Sequence, residues 1–330
     1  MLQFVADQID QLDLALDQLA VRDRNFDRFA MMLIDNVIEL TLHRHAREKA
    51  SENEMWRHNS TSKTDLKIVT AALGQSFEAK VRLARATSMI PVEVAESIQY
   101  LHAFRNTIYH QGRRHEGILH SLAIFYLQNA CSVLEGFKPM WWSTSSRDKI
   151  SHRAIKYLGA PKLFDHREAM QSACTRLRQV ATSLGQTMIA DLHNDMSKTI
   201  ERVDKMIDFL ATDAPQTTSR RQAIIWAQAW PFAFTDEGKQ WAKSNGCSTS
   251  SVGDYVDWLA TKYPWPVRTD PVTSWQRRLD SLKLEKELNA ALKKYCDFMR
   301  QTEDFRSKID ESASQLEAYI QQQIDIARGK

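Results

Sequence analysis

Apolar residues recur every three or four positions at Val5, Ile9, Leu12, Leu16 and Leu19, and beyond a polar break at Asp23 the stripe resumes through Phe26, Ala30, Leu33, Val37 and Leu40. That repeat puts side chains on one face of an α-helix. One long helix, or two broken near Arg22–Asn25, satisfies it equally. A polar loop from Ala50 to Ser62 follows, and Ser62 with Asp65 three residues on has the form of a capping box. The next helix would bury Leu66, Val69, Leu73, Phe77, Val81 and Ala84. Pro91 suits a first helical turn. From it a stripe runs through Val94, Ile98, Leu101, Arg105 and Ile108, with Gly112 placed to stop the helix. A broadly apolar helix from about Glu116 to Glu135 closes at Gly136.

These elements predict a helical bundle over residues 1–138. Residues 139–165, with Trp141-Trp142-Ser143 and then basic residues, predict a linker. Residues 166–330 predict a helical C-terminal region, with one long helix at about 167–210 and another at about 275–326. The second shows heptad-like spacing through Phe298, Thr302, Phe305, Ile309, Ser312, Leu316 and Tyr319. It packs on the helix at 167–210 or, alternatively, on a partner. Five of the eight prolines and six of the nine tryptophans fall between residues 211 and 275. That insert is expected to be irregular or to hold short elements. Interleaved with Arg220, Arg221, Lys239, Lys243 and Arg268, its tryptophans fit either a small core or a stacking platform for single-stranded RNA.

Composition narrows the class. Ten glycines in 330 residues, none before Gly74, argue against glycine-punctuated sheets and phosphate-cradling Gly loops, and for an all-α fold. The net charge of +3 gives no bulk field for nucleic acid, so any RNA contact has to be local. Four scattered cysteines without a C-x-x-C pair read as reduced thiols, not a disulfide frame or zinc site. Asp7, Asp10 and Asp13 interrupt the first apolar pattern and exclude a signal peptide there, and polar residues within Ile118–Phe137 argue against a membrane span. A cytoplasmic protein is the expectation.

The chemistry concentrates at Phe104-Arg105-Asn106-Thr107-Ile108-Tyr109-His110-Gln111-Gly112. With about 100° of turn per residue, Arg105 falls on the side of Ile98 and Leu101. A guanidinium in an apolar neighbourhood is costly unless paired. Arg105 therefore either pairs with a buried acid or lines a cleft. An Arg/His pair without acidic metal ligands suits phosphate-ester cleavage. The bare spacing is weak: chance supplies about one such match in a chain this rich in Arg and His. Arg147…His152 repeats the spacing after a Trp/Ser segment without the Asn, and Arg114…His120 spans an expected helix break at Gly117.

Arg-Asn-x-x-x-His at the end of a helix, in an all-α unit of this size, resembles the HEPN superfamily over residues 22–137. The resemblance implies a four- to five-helix bundle, here with a long-helix extension. It implies metal-independent endoribonuclease activity with Arg105, Asn106 and His110 as the catalytic set, and a homodimer through the motif helix that brings two motifs together. It implies no cofactor and no metal, and an antitoxin or regulatory partner is possible in such families. Where some of these toxins continue as His-x-Tyr this chain has Gly112, so control through modification of that Tyr is not carried over. In the chemistry so implied, His110 moves protons at the 2′-OH or the leaving 5′ oxygen, and Arg105 holds the non-bridging oxygens. Asn106 would orient the phosphate or the arginine. Arg113 and Arg114 either grip flanking phosphates or are solvated loop charges. The alternative is a non-catalytic helical interaction protein, with Arg105 as a structural ion-pair partner. His102, His110, His115 and His120 cluster in sequence but lack the spacing and carboxylates of a metal site.

Overall fold

The computed structural model describes residues 1–55, 65–111, 116–145, 147–159, 166–185, 187–214, 218–249 and 251–329, and among them every regular element is helical. The chain divides into two compact units, one of residues 1–192 with 285–293 and one of 193–284 with 294–330.

The first unit opens with α1 (Leu2–Ala20) and α2 (Arg24–Met55). The break is real: Arg22 adopts a left-handed φ of 55°, and the Asp23 carboxylate accepts the Asn25 amide at 2.9 Å to start the next helix. The helix expected after residue 62 is two, α3 (Leu66–Leu73) and α4 (Phe77–Ala86). Ser76 divides them, its hydroxyl accepting the Ala79 amide. Asp65 caps α3 directly by accepting from the Lys67 amide, so no capping box is needed; Ser62 lies outside the described residues. Next come α5 (Val92–Gln111), a 3₁₀ turn at Glu116–Ile118 and α6 (Leu119–Gly136). The expected stop at Gly112 lies outside the described residues.

Because α6 is apolar nearly all round, it is surrounded, packing on α1, α2, α5 and α8 (His166–Ser183). The described residues between 139 and 159 hold α7 (His152–Leu158), which packs on α1 and α8, so this part of the expected linker does not run free. The buried Asp13 of α1 explains why. It takes hydrogen bonds from the Tyr157 hydroxyl at 2.7 Å, Arg153 at 2.8 Å and Lys156 at 3.1 Å. Burial alone would raise the Asp13 carboxyl, and these three donors outweigh it and hold it below its ordinary value.

Gly136 ends α6 where it meets the α4–α5 turn. A Cβ there would lie 2.0 Å from the Met89 carbonyl oxygen, which is backbone and cannot rotate away. Gly136→Ala is expected to cost about 1–3 kcal/mol through forced overpacking, read as a lowered denaturation midpoint. An unchanged midpoint would show that the turn shifts freely.

His45 on α2 is 4% exposed. The Thr87 hydroxyl donates to the Leu83 carbonyl, so it accepts from the His45 Nε2–H at 2.8 Å, and Nδ1 has no partner among the described residues. Burial, then the nearby Lys49 ammonium, depresses the His45 pKa from 6.5 to about 4. The unfolded chain therefore binds this proton first. The stability His45 contributes is present above pH 6.5 and lost as pH falls toward 4, roughly 3 kcal/mol in all. Melting curves between pH 7 and 4.5 should show the wild type losing more stability than His45→Gln. Parallel losses would refute the assignment.

In the second unit the expected helix over 167–210 has already ended with α8. A new helix, α9 (Met188–Thr212), starts beyond Gly185, whose φ of 124° few other residues adopt. The Trp/Pro-rich segment is regular: α10 (Arg220–Ala233), α11 (Asp236–Ser244) and α12 (Val252–Lys262) surround a core of Ala229, Ala233, Ala242, Val256, Leu259 and Trp265. Trp241 and Trp258 pack against it, so these tryptophans are core. Trp230 and Phe234 stack on the surface. Arg220 fastens α10 by ion pairs to Asp204, Asp208 and Asp270. The expected final helix is again two, α13 (Val272–Lys283) and α14 (Leu288–Ala327). Trp275 sets its edge on Phe298 and Phe305. The heptad positions of α14 are buried through Ile309, whereas Tyr319 is exposed. No helix among the described residues is long and apolar enough to cross a membrane.

Candidate functional site

Arg105 lies about three-quarters of the way along α5, one turn beyond the fully buried Leu101 and two beyond Ile98. Its partner is Asp35 of α2, which is completely inaccessible. Arg105 Nε approaches Asp35 Oδ2 to 3.3 Å, yet neither atom makes a well-directed hydrogen bond. The contact is ionic, not a bidentate fork. The outer face of the guanidinium donates from Nη1 to Asn106 Oδ1 at 2.8 Å. Of the arginine side chain 31% is exposed. The expected pairing with a buried acid thus holds, and the side chain also stays partly exposed.

Asp35 is a hub. Its Oδ1 accepts from the Tyr126 hydroxyl of α6 at 2.6 Å and contacts His102 Nδ1 of α5 at 2.8 Å. Burial, and then the Asp35 charge, push the Tyr126 hydroxyl well above its ordinary pKa, which keeps it a donor. The His102 ring stacks on Phe77 of α4, with centroids 3.9 Å apart and planes 3° from parallel. Three helices therefore converge on one carboxylate, to which α5 is tied through His102 and Arg105. A second pair of this kind lies at the other end of this α2 face, where His120 Nδ1 meets Asp27 Oδ1 at 2.7 Å and Nε2 has no partner among the described residues.

Of the expected site residues, Arg105 and Asn106 are brought together. His110 belongs to the last turn of α5, but its side chain, like Arg113 and Arg114, lies outside the described residues. Sequence reading missed Asp35, Tyr126 and Asp27, all buried polar groups within apolar faces. Among the described residues no group of three or more His, Cys, Asp or Glu is placed to hold a metal ion. The four cysteines are unbridged.

No family model, curated protein or solved structure matches the chain.

Proposed function

We propose that this chain is a metal-independent endoribonuclease of HEPN type, a toxin or antiphage-defence effector whose HEPN-like bundle is residues 1–138 of the first unit. One observation carries the reading. Arg105 is held at its root by a buried acid while its guanidinium stays partly open beside Asn106, on the helix turn that leads to His110. A structural arginine can stay as exposed as this, as Arg220 does, so exposure supports the reading only together with the neighbouring Asn106 and the approach to His110. An arginine that neutralises a phosphate needs exposed donors, and its orientation has to be fixed in advance. In this reading the reaction is 2′-OH attack on the adjacent phosphorus, with His110 transferring the proton and Arg105 taking up the charge on the non-bridging oxygens. A two-fold dimer across α5 supplies a second His110, so that one acts as base and the other as acid.

The Asp35 ion pair also favours a second reading, a non-catalytic helical interaction protein in which Arg105 only ties α5 to α2. RNA cleavage in EDTA, compared among wild type, Arg105→Ala and His110→Ala, separates the two. Chromatography with light scattering tests the dimer, and a monomer at micromolar concentration would count against the shared site.

A further inference from the structure

Asp35 holds Arg105 by one carboxylate oxygen and His102 by the other. The two side chains are three residues apart on α5, a spacing that brings Cβ atoms to about 5–6 Å. A histidine is thus fixed beside the guanidinium that the proposed cleavage assigns to the phosphate.

Its orientation is set by its neighbours. A carboxylate only accepts, so the 2.8 Å contact at Asp35 Oδ1 is a donation from the Nδ1–H of His102. That choice of tautomer leaves the lone pair of the neutral ring on Nε2. Asp35 is itself inaccessible and is also held by Tyr126 and Arg105, so the acceptor cannot swing away. The imidazole lies flat on the ring of Phe77, which fixes its plane. Nε2 makes no hydrogen bond among the described residues and is not one of the enclosed atoms left without a partner, so it meets solvent; the side chain is 20% exposed. His45 and His120 differ in this respect. Each also bonds through one nitrogen, but Nδ1 of His45 and Nε2 of His120 are enclosed. A carboxylate on the inner nitrogen and an open outer nitrogen are what a general base requires.

We propose that His102 is a further catalytic residue of the RNA cleavage, the base that takes the 2′-OH proton on Nε2, and that it fills within one chain the role given above to a second His110. The inference rests on the ribonuclease reading. Nε2 accepts the 2′-OH proton as the 2′ oxygen forms its bond to phosphorus. The bond from phosphorus to the 5′ oxygen breaks, and that oxygen takes a proton from His110. The products are a 2′,3′-cyclic phosphate and a 5′-hydroxyl end. Asp35 faces the positive charge that His102 acquires, and Arg105 holds the non-bridging oxygens.

The test measures kcat and KM of the full chain on a short single-stranded RNA in EDTA. His102→Asn is the informative variant. Its amide nitrogen can donate to Asp35 as Nδ1 does, so Arg105 keeps its anchor, but no group remains to take the proton. Its kcat is expected to fall about 10²-fold or more with KM little changed. His102→Gln takes its place if the asparagine variant fails to fold. Added imidazole is expected to restore part of the rate to His102→Ala and none to Arg105→Ala. A wild type that cleaves, with the His102 variants equally fast, slowed only through KM, or slowed without any response to imidazole, would overturn this proposal and leave the ribonuclease reading standing. A wild type that does not cleave would overturn both.

Discussion

Total RNA incubated with the wild-type chain in EDTA is expected to be cleaved, with Arg105→Ala and His110→Ala each slowing cleavage about 10²–10³-fold. The magnitude follows from what each group supplies. Removing a positioned proton-transfer group costs about 10²–10⁴ in rate, and removing a preorganised charge stabiliser about 10²–10³. Arg105→Lys keeps the charge but loses the planar fork and the Asn106 contact, so it should fall between wild type and alanine. Because Arg105 also contacts Asp35, its alanine variant is expected to lose some stability, and thermal melts must accompany the assay. Equal cleavage by all three proteins would end the ribonuclease reading.

The second large effect belongs to Asp35. Asp35→Ala leaves Tyr126, His102 and Arg105 without their shared acceptor, all three buried or half-buried, on α6 and α5. Breaking a buried charge network from one side typically costs about 3–5 kcal/mol. For a unit of this size that is a fall in melting temperature of roughly 10 °C. Tyr126→Phe removes one donor and leaves the carboxylate its other two, so a loss of about 1.5–3 kcal/mol is expected. Melting within about a degree of wild type for Asp35→Ala would mean that the hub contributes no net stability.

Much of the helical architecture was legible because it rests on three-to-four periodicity. The α1 stripe of Val5, Ile9, Leu12, Leu16 and Leu19 is buried as read. Most long elements were drawn too long, because periodicity runs through short breaks: Ser76 and Gly185 interrupt the chain locally without disturbing the apolar spacing on either side. Residues 139–165 were drawn as a linker because α7 is short and docks through polar groups, on Asp13, which an apolar pattern cannot register.

On α2 the buried face was read only in part. Ala30 and Val37 are buried as read, Phe26 and Leu40 are exposed, and Met31, Ile34, Ile38 and Leu42 are buried beside the stripe. Asp35 was left out of that stripe, and with it the acid that Arg105 required. The signal was present, since Asp27, Ile34, Asp35, Ile38 and Leu42 share a face, but it needs the premise that a carboxylate can belong to a core stripe. The tryptophan-rich segment was expected as irregular or made of short elements because proline was weighed as a breaker. The elements are short, as the second of these readings has it, but Pro231 sits inside α10, and the other described prolines fall between helices.

The Asp35 hub has an engineering consequence. Buried ionic clusters can often be exchanged as a set for well-packed apolar side chains with little loss, or even a gain, of stability. Selection for heat tolerance alone would thus be free to turn Asp35, His102 and Tyr126 into hydrocarbon. The helices would stay joined, but the Arg105 side chain would lose its buried anchor and keep the Asn106 contact alone among those described above. Robustness and pre-set geometry are opposed at this carboxylate, and a thermally hardened variant would be the place to see that trade-off.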